Sequence, residues 1–354
     1  MKCRSFFILA AVTAVFMCGC SNKKVKDEYS ERTLFAMDTI MTLKAYGENS
    51  ENAVEKAAEE IERLDSLLSA GRAESEIYQL NKWSLTQDKE GEARFLVSED
   101  TFYLFKRALE INKMTEGAFD ISIYPLMKLW GFAAENNEER SFYKPDEAEI
   151  EALLPLVTSS EIILDEENKE VGFGKPGMEV DFGGIAKGYA SERVLEIFEE
   201  CGVTSGIVNL GGNVQVLGEK PDGSAFRVAV EVPEDTSKNI GILSIRNKTV
   251  ITSGGYERYF EEDGVKYHHI LDPATGAPAE NGLKSVTVVC EDGALADALS
   301  TALYVMGEEK AVEFSREHQG EIDVMLLTCE DELYITKGLE ASYEADRYQA
   351  SIIE

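Results

Sequence analysis

The chain has 354 residues with 35 Lys and Arg against 66 Asp and Glu, a formal net charge of −31, and 44% apolar residues, enough for one large domain or two with ordinary cores. That balance excludes a disordered tail, a disulfide-stapled miniprotein, a multi-span membrane protein and a nucleic-acid binder, which needs basic surface to meet phosphate. It also means that any phosphate-bearing ligand needs a local site: a cation, a helix start or a metal ion.

In chain order, Lys2 and Arg4 precede an apolar run from Phe6 to Met17. The run falls short of the ~20 residues that span a bilayer and has the size and flanks of an export signal. It ends in Met17-Cys18-Gly19-Cys20. The small residue before Cys20 resembles a bacterial lipobox, which implies a signal over 1–19 and a lipid on Cys20; an ordinary cleaved signal and an uncleaved anchor are the alternatives. Cleavage there removes two positive charges and no negative one, so acyl chains rather than charge would hold the protein to the outer face of the bacterial cytoplasmic membrane. Residues 20–32 then read as a polar tether, 33–347 as the globular domain and 348–354 as a tail. Beyond Cys20, the three remaining cysteines (Cys201, Cys290, Cys329) are odd in number and lack ligand spacing, so they are expected as small apolar fillers.

Within the globular part, Thr39 to Ala45 alternates as a strand does. Val54, Ala57, Ala58, Ile61, Leu64, Leu67 and Leu68 recur at helical spacing, and Phe102 to Thr115 reads as a second helix. Glu135 to Glu151 is charged and turn-rich, an expected exposed excursion. Glu161 to Phe173 suggests a hairpin, and Ile185 to Glu200 a helix stopped by Gly202. Short strands with glycine turns follow over 205–232 and 240–252. Leu283 to Cys290 is an expected strand, Leu295 to Val305 and Glu308 to His318 are expected helices, and Val324 to Thr336 a closing hairpin. Strands and helices mix without a regular βαβ cadence, so the fold class is α+β.

Three stretches carry chemistry. In Val180-Asp181-Phe182-Gly183-Gly184-Ile185-Ala186-Lys187-Gly188, a strand end runs through a Gly-Gly turn into a helix with Lys187 on its first turn. Free N–H groups and a cation suit a phosphate, although the pattern is neither Walker nor GxGxxG; a tight connection with a solvated Lys reads equally from the same residues. In Ala296-Asp297-Ala298-Leu299-Ser300-Thr301, Asp297 and Thr301 share a helix face and are hard oxygen ligands suited to Mg²⁺, or else a helix-start cap and a back-bonded hydroxyl. In Tyr267-His268-His269-Ile270-Leu271-Asp272-Pro273, one His of the pair can face a site and move a proton; neither paired Cys nor HExxH points to zinc. Trp130-Gly131-Phe132 is plain core or the wall of a flat heterocycle.

Together these resemble the ApbE family, the FAD:protein FMN transferases. The matching pieces run in order: Met37-Asp38-Thr39, Ser75-Glu76 with Leu80-Asn81, Thr115 to Asp120, Leu129 to Phe132, Asp181 to Tyr189, Asn209 to Asn213, Thr252 to Gly254, Tyr267 to Gly276 and Ala296 to Leu303. The resemblance implies a T-fold-like α+β domain of mixed and antiparallel sheets flanked by helices, with FAD in a cleft and Mg²⁺ on its diphosphate. It implies Asp297, Thr301 and the Gly184 carbonyl as metal ligands, with Met37, Ala118, Phe119, Asp120, Asp181, Lys187 and Ile270 at FAD-contacting positions. His269, Asp181 and Lys187 would carry the chemistry: transfer of FMN to a Thr or Ser hydroxyl of a target flavoprotein, releasing AMP. Targets implied by the family are subunits of Na⁺-translocating quinone reductase and Rnf complexes; nucleic acid is not a partner. The rivals are a Mg-dependent FAD pyrophosphatase and a lipid-anchored flavin binder without turnover. The sequence departs from the family pattern at Ser69-Ala70-Gly71-Arg72, which lacks the aromatic of Ser-x-Tyr, at Ser191-Glu192, and at Phe226 where Trp is frequent.

Overall fold

The computed structural model describes residues 28–87, 93–133 and 141–354. The export signal, Cys20 and the first part of the tether lie outside the described residues. The elements in chain order are β1 (Tyr29–Ala36), β2 (Thr39–Tyr46), α1 (Ser50–Leu68), α2 (Glu76–Ser84), β3 (Phe95–Leu96), α3 (Glu99–Met114), α4 (Tyr124–Leu129), α5 (Glu147–Leu153), β4 (Ile162–Asp165), β5 (Glu170–Phe173) and α6 (Ala186–Glu200). Then follow β6 (Gly206–Leu210), β7 (Asn213–Leu217), β8 (Phe226–Val232), β9 (Asp235–Ile245), β10 (Thr249–Gly254), β11 (Tyr259–Glu262), β12 (Val265–His268), β13 (Leu283–Cys290), α7 (Gly293–Glu317), β14 (Asp323–Thr328), β15 (Leu333–Thr336), β16 (Tyr343–Ala345) and β17 (Ala350–Ile353).

A nine-stranded sheet in the order β1-β2-β6-β7-β10-β13-β14-β15-β17 organises the molecule. The pairings are antiparallel except β15 with β17, so the sheet is mixed and the architecture is α+β. The helices α1, α6 and α7 pack on one face, where the apolar stripe of α1 and the small residues of α7 form the main core. The three-stranded sheet β16-β9-β8 covers part of the other face with a second core. The Val-rich run of β13 follows from that sandwich: Val286 and Val288 join the first core and Val289 the second.

Several boundaries are corrected by the structure. Residues 29–32 of the expected tether instead pair with β2 in the hairpin ladder. The expected tail is a strand: β17 lies parallel to β15 and buries Ile353. A parallel pairing across a loop leaves no turn signal to read. The expected excursion ends in α5, whose Asp146 and Glu149 form a reciprocal capping box. The two expected C-terminal helices are joined end to end in α7, with the backbone leaving helical geometry at Gly307 (φ 79°). Cys201, Cys290 and Cys329 are all free thiols, but Cys329 is exposed, so the filler role suits Cys290 alone among the fully buried ones.

Candidate active site

A cleft of about 1130 Å³ opens where the β1–β2 turn, the start of α6, the inner face of α7 and the loop after β12 converge. It is larger than the usual drug-sized pocket and has room for an extended dinucleotide. Met37, Ala118, Phe119, Asp120, Asp181, Gly184, Lys187, His269, Ile270, Asp297 and Thr301 all line it, so the sequence-predicted site residues are brought to one place.

The floor is the crossing of α6 and α7. Asp297 is 4% exposed; its Oδ2 accepts from the Gly188 N–H (2.9 Å) and its Oδ1 from Asn213 Nδ2 (2.9 Å). Lys187 Nζ stands 3.8 Å from Oδ1 and 3.4 Å from the Gly183 carbonyl. Each carboxylate oxygen thus keeps acceptor capacity facing the cleft. A Cβ placed on Gly184 would lie 3.8 Å from Thr301 Oγ1 and 3.1 Å from the Phe119 ring, so the Gly-Gly turn and the Thr301 face are in contact range. Ser253 Oγ bridges Ser300 (2.7 Å) and Thr301 (3.3 Å). This set of one buried carboxylate, one hydroxyl and a main-chain carbonyl fits a hard divalent cation that takes its remaining ligands from phosphate and water. Among the described residues no cluster of three or more His, Cys, Asp or Glu offers a rival metal site.

Gly188 makes the crossing feasible. A Cβ there would sit 2.1 Å from the Gly293 carbonyl oxygen and 2.7 Å from Asp297 Cβ, both backed by rigid helix. Gly188→Ala is therefore expected to destabilise the fold by ~3 kcal/mol, with a clear drop in melting temperature, as overpacking against backbone does. A variant that melts with wild type would show that the helices part easily.

The helix start itself is less free than the sequence suggests. The N–H groups of Ile185 and Ala186 bond the Phe182 carbonyl, and that of Gly188 is taken by Asp297. Positive charge for an anion comes instead from Lys187 and from Arg258, which the sequence analysis did not single out. Arg258 lines the cleft at its solvent side, close enough to Asp181, Glu257 and His269 to influence their protonation.

Asp181 is positioned by its neighbours: its N–H bonds the Ile121 carbonyl (2.8 Å) and Oδ1 accepts from Gly183 N–H (3.1 Å). One residue earlier, Asn81 bonds both main-chain groups of Val180 (2.8 Å each), acting as a short strand partner. This explains why Leu80-Asn81 belongs to the motif set: Asn81 holds the approach to the Gly-Gly turn. Burial pushes the Asp181 carboxyl up, against the Gly183 N–H and the Arg258 and Lys187 charges.

The two histidines face different surroundings, as expected, although β12 ends at His268 and His269 lies in the bend just beyond it. His268 is buried and bonds the Ala279 carbonyl through Nε2 (3.0 Å). His269 lines the cleft; its Nδ1 is 3.2 Å from the Arg258 carbonyl, which only accepts, so Nδ1 carries the proton and Nε2 the lone pair. Burial, then the Arg258 charge, holds His269 down to about 3. Arg258→Gln removes a cation that opposes the imidazolium, so the acid limb of the pH–rate profile is expected to move to higher pH. A limb that stays or moves lower would contradict this placement.

Asp120 lines the cleft with its carboxylate already engaged by protein groups. Its carboxylate accepts from Ser122 N–H (2.8 Å), from Ser159 N–H (2.9 Å) and hydroxyl (2.6 Å), and from Asn112 Nδ2 (3.2 Å). It braces the loop that carries Ala118 and Phe119 and has little capacity left for a ligand. At the β1–β2 turn, Met37 (φ 47°) and Asp38 (φ 60°) both adopt the left-handed region although neither is glycine. Asp65 holds this strained turn by accepting from Met37 N–H (3.0 Å) and pairing with Arg72 (2.6 Å). Arg72 and Gly71 line the cleft where the family pattern has an aromatic. Trp130 and Phe132 lie in a separate small core; Trp130 Nε1 bonds the Gly276 carbonyl (2.8 Å), and the Phe132 ring meets His269 edge-on at 6.4 Å.

The fold and site define a class: a mixed-sheet α+β protein whose large cleft sets a carboxylate–hydroxyl pair beside a Gly-Gly turn at a helix start. The model of the ApbE family matches residues 37–326, and the chain belongs to this family. It is 36% identical over 293 residues to an FAD:protein FMN transferase of Klebsiella pneumoniae, covering 82% of this chain and 87% of that protein. It is 30% identical over 343 residues to one of Haemophilus influenzae, covering 94% and 95%. Among solved structures, it superposes on the ApbE protein of Thermotoga maritima with TM-score 0.80 at 31% identity, covering 89% of this chain and 99% of that one. The flavin transferase ApbE of Vibrio cholerae matches with TM-score 0.77 at 27% identity, again over 89% and 99%.

Proposed function

We propose that this chain transfers FMN from FAD to a Thr or Ser hydroxyl of a target protein. The acceptor oxygen attacks the phosphorus of the FMN half, the bond to the AMP phosphate breaks, and AMP leaves. The observation that carries this is the meeting of Asp297 and Thr301 with the Gly183 to Gly188 turn inside a dinucleotide-sized cleft. Magnesium held by Asp297, Thr301 and the Gly184 carbonyl would supply Lewis-acid polarisation of the diphosphate. Lys187 and Arg258 offset the charge that develops on the diphosphate oxygens. His269 Nε2 accepts the proton of the attacking hydroxyl. Its low proton affinity in the free cleft rises when a dianionic diphosphate settles beside it, since a nearby negative charge favours the imidazolium. Asp181, raised by burial, is the alternative acceptor of that proton.

The acceptors proposed are the flavin-carrying subunits of Na⁺-translocating quinone reductase or Rnf-type complexes. Export and a lipid on Cys20 would place the enzyme beside them on the outer face of the cytoplasmic membrane. The test is incubation of purified protein with FAD, Mg²⁺ and each recombinant subunit. Covalent flavin on a subunit supports the proposal, free FMN with AMP indicates water as the nucleophile, and intact FAD indicates a binder without turnover.

A further inference from the structure

The mouth of the cleft carries an exposed apolar pair. Phe35 is 70% exposed and Ile40 66% exposed, and the two face each other across the β1–β2 ladder. An exposed large apolar pair on a sheet edge invites association. Phe35 also lines the cleft, so the patch and the cavity form one continuous surface. β1 is the outermost strand of the nine-stranded sheet. Its hairpin has a two-residue turn, which closes on the hydrogen-bonded pair Ala36–Thr39. By alternation, the main-chain N–H and C=O of Phe35 and Thr33 point away from β2, and among the described residues no other backbone group bonds them.

We propose that this edge is the docking surface for the acceptor polypeptide, which adds to β1 as an extended segment and seats an apolar side chain against Phe35, which Ile40 backs from β2. The proposal rests on the transferase reading above, which requires a polypeptide at the cleft mouth. Successive residues of an extended chain advance ~3.3 Å, so a hydroxyl residue two or three positions from the apolar anchor reaches past the Met37–Asp38 turn into the cleft. Main-chain pairing supplies affinity without sequence constraint, and the apolar anchor supplies the selection.

The experiment uses the full chain and, as probes, the recombinant flavin-carrying subunits of the two complex types, whichever wild type labels serving as reference. Two variants are compared with it: the double change Phe35→Ser with Ile40→Ser, and Thr33→Pro, which removes an outward N–H that an edge strand can spare. Both are expected to melt near wild type and to bind FAD within about twofold of it, while KM for the acceptor rises about tenfold, the loss of one interfacial anchor. An unchanged KM in either variant overturns the docking surface. FAD binding that weakens in step with KM assigns Phe35 to the flavin wall and overturns it too. Labelling of neither subunit by wild type contradicts the acceptor assignment and with it the proposed occupant.

Discussion

Asp297→Asn is expected to lower FMN transfer by roughly 10³-fold, about 4 kcal/mol of transition-state stabilisation, while the protein stays folded. The substitution keeps the shape and removes the charge. Asn can still accept from the Gly188 N–H, and the facing Asn213 amide can rotate by half a turn to present its oxygen instead of its Nδ2. The α6–α7 crossing therefore survives. What is lost is the only carboxylate among the three proposed metal ligands, and a neutral amide is a poor ligand for a small hard cation. Lys187, 3.8 Å away, would then face a neutral group and bind the diphosphate without its counter-charge. FAD binding can thus persist or even tighten while turnover collapses. Single-turnover AMP release at saturating FAD measures this; a rate within tenfold of wild type would remove Asp297 from the chemistry.

The second large effect is His269→Gln, expected to slow transfer about 10²- to 10⁴-fold, the usual range for loss of a general base. FAD affinity should change less than about threefold, because the ring's contacts are with Phe132 and the Arg258 carbonyl. Nε2 is the only ring nitrogen with a free lone pair, and Gln presents no comparable base. The companion variant Asp181→Asn decides between the two proton acceptors. If His269→Gln turns over like wild type and Asp181→Asn does not, the proton goes to Asp181.

Much of the site was legible because its chemistry is local. Asp297 and Thr301 share a helix face by their spacing of four, and the Gly-Gly turn before Lys187 announces a close backbone approach. That only one of His268 and His269 would reach the site was legible from the pair, but the strand ends at His268, so the bend after it and not alternation sets the direction of His269. The fold class was legible from the irregular mixture of elements, and α1 from its apolar spacing. What escaped depends on contacts between distant segments. Asn81 acts on Val180 across 99 positions and Asn213 on Asp297 across 84, and neither residue type advertises that partner. Arg258 lies in a charged stretch that reads as solvated surface until the cleft folds around it. Asp120 sits in the cleft as its motif implies, but its partners Asn112, Ser122 and Ser159 are not announced by the motif.

The central claim is that a metal ion sits between Asp297 and the diphosphate of FAD. Crystals grown with FAD and Mn²⁺ in place of Mg²⁺ would locate the ion by anomalous scattering. One peak is expected within about 2.5 Å of an Asp297 oxygen, Thr301 Oγ1, the Gly184 carbonyl oxygen and an oxygen of the FAD diphosphate. A peak elsewhere, or diphosphate bound in the cleft with no ion between it and Asp297, would contradict it.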